Sequence, residues 1–288
     1  MINFLLCILC NSGIFLTFRL FKSKGINTPM AITINYLVAA CFGWLQAGGF
    51  EAMQESTSKP WFITTAIMGT GFLFLFNLMA KCTREFGVSI ATMSTKLSMV
   101  IPISVFLIIH PEDQITLAKA IAISLAFLTI ILSSNNSKEE RKSRLDLLMP
   151  MIIFLGSGGI DLVFGLYSGE EFMQRPSDPY ALTSIPFTVA FITGIAARSF
   201  PQHRHKLRIQ DFWGGALLGI INFGSLYFLL KAFSDSGLDN SSVIPSLNVS
   251  VIILSTITAL LLFKEKPSTK TWIGLALGCI SISLFLLF

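Results

Sequence analysis

The chain has 288 residues, of which 53% are hydrophobic and only 13% charged. Soluble domains carry about 25% charged residues, so 21 Lys/Arg and 16 Asp/Glu are too few to give a chain of this size a polar skin. With a mean hydropathy of +0.71, the composition excludes a disordered chain, a nucleic-acid-binding module and a secreted disulfide scaffold. It selects a polytopic membrane protein.

A helix that crosses the hydrocarbon core needs about 20 mostly apolar residues. Ten segments meet that standard: Ile2–Leu20, Thr28–Gly48, Trp61–Ala80, Val88–Ile109, Thr116–Ser133, Leu147–Tyr167, Pro179–Ala197, Asp211–Leu230, Ser241–Phe263 and Thr269–Phe288. The ~10-residue alternating segments of an outer-membrane barrel are not present, so the fold class is all-α. No Lys or Arg precedes the first apolar run, which therefore reads as a retained membrane span rather than a secretory signal. Cys7 and Cys10 lie inside that run with no His or charge beside them, which favours packing over redox or metal chemistry.

Basic residues set the orientation. Sixteen of the 21 Lys/Arg follow spans one, three, five, seven and nine, and four follow the even-numbered spans (Lys59, Lys119, Arg175 and Lys231). The remaining one, Lys96, lies within a span. This split places the odd-to-even loops in the cytoplasm and both termini outside. The net charge of +5 then reports topology rather than an acidic partner. Compact length without a targeting extension points to the bacterial inner membrane.

The chain also repeats itself. Asn11–Phe21 (NSGIFLTFRLF) aligns with Ser157–Tyr167 (SGGIDLVFGLY), and further on Lys81 and Gly87 meet Lys231 and Gly237. Lys96-Leu-Ser98 meets Asn248-Val-Ser250, and Glu112 meets Glu265. These matches divide the chain into repeats at 1–133 and 147–288, joined by a cytoplasmic linker at 134–146. Five spans per repeat is an odd number, so the second copy enters the bilayer inverted. Such an arrangement places a ligand site near the midplane between the repeats.

Two stretches carry a family resemblance: GVSIATMSTKLSMVIPISVFLIIHPED (Gly87–Asp113) and GLDNSSVIPSLNVSVIILSTITALLLFKEKPSTKTWIGLALG (Gly237–Gly278). Each combines a glycine-containing bend, a long helix spotted with polar residues, a terminal acid and a final span. The chain resembles the drug/metabolite transporter superfamily, in its ten-helix EamA-type branch. The resemblance implies a secondary transporter of a small organic solute such as an amino acid, more often exported than imported. It further implies alternating access of two bundles around a central cavity. A translocator of phosphorylated or lipid-linked substrates, a channel and a non-enzymatic scaffold are the other readings.

Lys96 is the most informative residue, because a lysine at mid-span costs about 2.5–3.5 kcal/mol on insertion scales. Three readings fit it: a cation that binds a substrate carboxylate or phosphate, one half of a structural ion pair, or an amine that titrates during transport. Asp161 is the one acid well inside a span, and it reads as a proton-coupling carboxylate or as the ion-pair partner of Lys96. Asn11, Asn77, Asn222, Tyr227 and Asn248 form the remaining substrate-binding candidates. Interhelical hydrogen bonding is the plainer reading of each Asn. Asn248 stands out as the repeat counterpart of Lys96.

Trp213 reads as an interface anchor. His203 and His205 lack a third ligand, so no metal or other cofactor is expected. No acid/base pair or nucleophile clusters within the spans, which argues against an enzyme. The partners expected are a small-molecule solute, membrane lipid and, if Asp161 titrates, protons; no nucleic acid is expected. Gly69, Gly71, Gly156 and Gly159 are read as close-approach positions, and Pro102, Pro186 and Pro245 as bends.

Overall fold

A computed structural model describes residues 2–109, 116–134, 148–169, 171–198, 207–263 and 268–287. All regular structure among these residues is helical: α1 (Ile2–Lys24), α2 (Thr28–Ala47), α3 (Phe50–Ser56), α4 (Phe62–Leu97), α5 (Val100–Ile109), α6 (Leu117–Ser134), α7 (Leu148–Leu166), α8 (Asp178–Arg198), α9 (Ile209–Asp235), α10 (Asn240–Phe263) and α11 (Thr269–Leu287). In hydrocarbon every backbone polar group must be paired within the segment, and a helix does this locally.

Thr28–Ala47, Phe62–Met79, Leu148–Leu166, Asp178–Ala197 and Ile209–Asp235 are long and apolar enough to cross a membrane. Five shorter apolar stretches accompany them: Ile2–Phe18, Ser94–Ile109, Leu117–Ile130, Asn240–Leu254 and Trp272–Leu284. These ten stretches fall on the ten spans expected from the sequence. The protein is integral to the membrane.

One boundary differs from expectation. Spans three and four were expected to separate near residues 81–87, yet α4 runs unbroken through Gly87 to Leu97. A lone glycine weakens a helix by only about 1 kcal/mol, which the neighbouring turns absorb. The interruption comes instead at Ser98 and Met99, ahead of Pro102. A proline ring clashes with the carbonyl four residues earlier, here that of Ser98.

The chain forms two compact units, and neither coincides with one half of the sequence. The first comprises residues 1–74 and 166–235, and the second comprises 75–165 and 236–288. Each unit therefore draws on both expected repeats.

In the first unit, α9 packs along α1 and α2, and α2 also packs on α8. The turn from α1 to α2 is closed by Gly25 at φ +60°, with the Ile26 amide donating to the Phe21 carbonyl at 3.0 Å. Only a residue free of Cβ takes that left-handed conformation without cost. Ile26 then joins Phe21, Ala31 and Leu218 in a buried cluster. Asn27 caps α2 by accepting from the Met30 amide at 3.1 Å.

Glycines let the helices of this unit approach closely. A Cβ on Gly215 would stand 2.7 Å from the Ala31 carbonyl oxygen, and one on Gly219 2.7 Å from that of Asn35. Gly69 meets the Pro186 carbonyl at 2.6 Å in the same sense, so the expected close approach occurs there, whereas Gly71 faces open space.

In the second unit α6 packs on α11, and α10 packs on α5, α6 and α11. Gly278 fits between Val249 and Thr129, and the Ser281 hydroxyl donates to the Ala122 carbonyl at 2.7 Å. Leu75 and Cys82 pack against Ile153, with Leu78, Met79, Met149 and Ile160 around them. Gly156 brings α7 onto Leu75.

Candidate functional site

The candidate site lies where α4 breaks, in the second unit. Pro102 cannot donate, and the backbone around it rearranges: Met99 donates to the Lys96 carbonyl at 3.3 Å, and Ile101 donates to Ser98 at 3.0 Å. The break thus leaves Lys96 in the last turn of a helix, where the partial negative charge of the helix end favours a cation.

α10 supplies the residue that meets it. The Lys96 ammonium donates to Asn248 Oδ1 at 3.0 Å, and Asn248 Nδ2 donates to the Lys96 carbonyl at 3.4 Å. One carboxamide therefore holds both the head of this lysine and the carbonyl exposed by the broken helix. Lys96 is 9% exposed and Asn248 7%. Nearby on α10, Pro245 removes another backbone donor, and the buried Ser246 hydroxyl has no hydrogen-bond partner among the described residues.

α7 crosses the same break. A Cβ on Gly158 would stand 2.8 Å from the Ser98 carbonyl oxygen and 2.6 Å from Ile101 Cδ1, so a larger residue could not lie there. Asp161 follows three residues later, about one turn along the same side of the helix. It is half-buried. No described residue hydrogen-bonds or ion-pairs with its carboxylate. Asn77 also belongs to this unit and is exposed on α4.

The other three candidates lie in the first unit. Asn222 is buried and donates to Asn35 Oδ1 at 3.1 Å. Asn11 donates to the Cys7 carbonyl at 3.0 Å and approaches Cys7 Sγ at 3.3 Å. Tyr227 stacks on Tyr180, with ring centroids 4.6 Å apart and planes 15° apart, and on Phe223 at 5.8 Å. Sequence reasoning missed Asn35 and Tyr180. Asn35 carried the same signal as the chosen asparagines, an amide in mid-span. Tyr180 looks like an interface aromatic because it stands two residues into α8.

Several charged residues of this unit are paired. Asp211 is fully buried; it accepts from Arg208 Nε at 3.1 Å, from an Arg208 terminal nitrogen at 2.9 Å and from the Asn27 amide at 2.8 Å. Lys59 lies 3.0 Å from Asp178, and Arg175 pairs with Glu55. In the second unit Lys119 pairs with Asp239. Three of the four basic residues on the sparsely charged side of the sequence are thereby neutralised by acids.

Trp213 is exposed at the start of α9. His203 and His205 lie outside the described residues. Among the described residues no cluster of His, Cys, Asp or Glu could hold a metal ion.

These features define an all-helical integral membrane protein with a buried cation at a helix discontinuity. Residues 170–287 match the model of the EamA-like transporter family. Members of that family are membrane transporters of small solutes rather than enzymes. An uncharacterized protein of Haemophilus influenzae is 26% identical over 285 residues, covering 95% of this chain and 93% of that protein. A crystal structure of another protein superposes with a TM-score of 0.73 at 14% identity, over 98% of this chain and 94% of that one, and shows the same fold.

Proposed function

We propose that the protein is an alternating-access carrier that exports a small organic solute bearing an anionic group, and that Lys96 binds that group. The carrying observation is the Lys96 ammonium held by Asn248 at the broken end of α4. Interrupted helices near mid-membrane are where secondary transporters build solute sites. A mid-span cation faces a protein interior or an aqueous path rather than lipid.

The repeat reading, with halves at 1–133 and 147–288, supports the same conclusion. The second span packs on the seventh (α2 on α8), the fourth on the ninth (α5 on α10) and the fifth on the tenth (α6 on α11). Pairing of equal-numbered spans is what an internal two-fold would produce. Lys96 and Asn248 are themselves counterparts, and a residue can touch its own counterpart only near such an axis. Asn77, Asn222, Tyr227 and Asn11 are further proposed substrate-binding residues, and the proposed location is a bacterial inner membrane with both termini outside.

The test is counterflow in proteoliposomes loaded with carboxylated metabolites. Saturable, Lys96-dependent counterflow is the expected result. Flux that does not saturate would indicate a channel, and Lys96→Met flux equal to wild type would remove the assigned role. A phosphorylated solute is the second reading, because the same ammonium suits phosphate. Competition between phosphorylated and carboxylated compounds separates the two.

A further inference from the structure

We infer that Asn248 is a positioning residue: it holds the Lys96 ammonium through an uncharged group, and the neutrality of position 248 makes the site select anions over uncharged solutes. This rests on the proposed role of Lys96.

The two side chains meet from unlike mountings. Lys96 lies in the last turn of α4, where the chain is interrupted at Ser98 and Met99, and its ammonium rides on a flexible four-carbon stem. Asn248 stands in the stretch of α10 from Ser241 to Val249, in which every residue is buried. A short side chain on a helix packed on all sides is a fixed point, and the lysine is the part that needs fixing. Asn248 Oδ1 accepts from the ammonium at 3.0 Å while its Nδ2 donates to the Lys96 carbonyl at 3.4 Å. That carbonyl also accepts from the Met99 amide at 3.3 Å, so both of its lone pairs are engaged. One carboxamide thus ties the head of the lysine to its own backbone and restricts where the ammonium points.

The chemistry of the holding group decides what the ammonium does next. A carboxamide is a neutral acceptor, so the pair it forms with Lys96 still carries one positive charge. A carboxylate in the same place would form a charge-assisted pair with no net charge, as Asp178 does with Lys59 and Asp239 with Lys119. Asn and Asp share shape and size, so the choice between them at position 248 is a choice of charge alone. With Asn the pair attracts an anionic group; with Asp it would be closed on itself. Both polar ends of Asn248 are bonded to Lys96, so the residue acts on the solute through the lysine.

The experiment is counterflow by the full chain in proteoliposomes, with each carboxylated metabolite and its uncharged primary amide as matched probes. Wild type should move at least one acid about 10-fold or more efficiently (maximal rate over KM) than its amide. Asn248→Asp should bring that preference below about 3-fold, by raising KM for the acid while amide flux persists. Asn248→Ala, which releases the ammonium without neutralising it, should raise KM for the acid about 10-fold and leave the maximal rate within about 2-fold. In a Lys96→Met background Asn248→Ala should add nothing further, because it acts through the residue already lost.

A wild-type preference retained in Asn248→Asp would overturn the inference and leave the Lys96 reading intact. Losses that multiply when Asn248→Ala and Lys96→Met are combined would do the same, since Asn248 would then touch the solute itself. Equal loss of acid and amide flux in Asn248→Asp would make the residue structural and also overturn the inference. Failure to recover that variant folded counts against it as well, because a carboxylate of the same shape beside a buried ammonium should be accepted. A preference for the acid that survives Lys96→Met, or none in wild type, would overturn the Lys96 reading itself.

Discussion

Two acids, one in each compact unit, show how differently the same side chain can be used. Asp211 in the first unit accepts from Arg208 and from the Asn27 backbone, and so ties the start of α9 to the turn between α1 and α2. Asp161 in the second unit has no such bonds among the described residues. The first acid is closed by its own protein, and its role is architectural. No described residue closes the second, which stands one turn from the contact of Gly158 with the helix break. Saturated polar groups stabilise a fold, and Asp161 contributes no such bond among the described residues.

The contrast predicts a graded set of outcomes. Lys96→Met, in the open site, should have the largest effect. Loss of a buried charged contact of at least about 2 kcal/mol lowers flux of a carboxylated solute roughly 30-fold or more in proteoliposomes. Folded protein should still be recovered from the membrane. Retained flux would place the open site elsewhere.

Next comes the packing of the first unit. Gly215→Leu forces a side chain against the Ala31 carbonyl and the Ile34 side chain, and should cost about 3 kcal/mol in an SDS-unfolding titration. A near-neutral result would mean that α2 and α9 can separate freely. Asp211→Ala strands the Asn27 amide but leaves half-exposed Arg208 to water, so the loss should be about 2 kcal/mol by the same titration.

Smaller effects complete the series. Asn222→Ala removes one interhelical amide bond and should cost about 1 kcal/mol. Asp161→Asn should change stability by less than about 0.5 kcal/mol, because no bond to a described residue is broken. A cost for Asp161→Asn as large as that for Asp211→Ala would erase the difference between the two acids.

Much of this was legible in the chain. Ten apolar runs gave the helices, since hydrocarbon leaves the backbone no other local solution. Lys96 was conspicuous because mid-span charge is expensive, and the expected repeat set Asn248 opposite it. Pro102 also announced the helix break, although the glycine at position 87 suggested a different place for it. The division into compact units was not legible, because periodicity shows which residues are apolar but not which helices of the two halves exchange partners. Asn35 looked no different from Asn222 until one was seen to accept from the other.

Composition, charge distribution and span length determined that this is a helical membrane protein with a cation in its interior, because those properties depend on the solvent each residue can tolerate. Which polar residues are satisfied and which are left open depended on helices far apart in sequence. Lys96 and Asn248 are 152 residues apart and share hydrogen bonds, and no described residue bonds to the Asp161 carboxylate. Hydrogen bonding acts over about 3 Å, so only the tertiary structure could decide it.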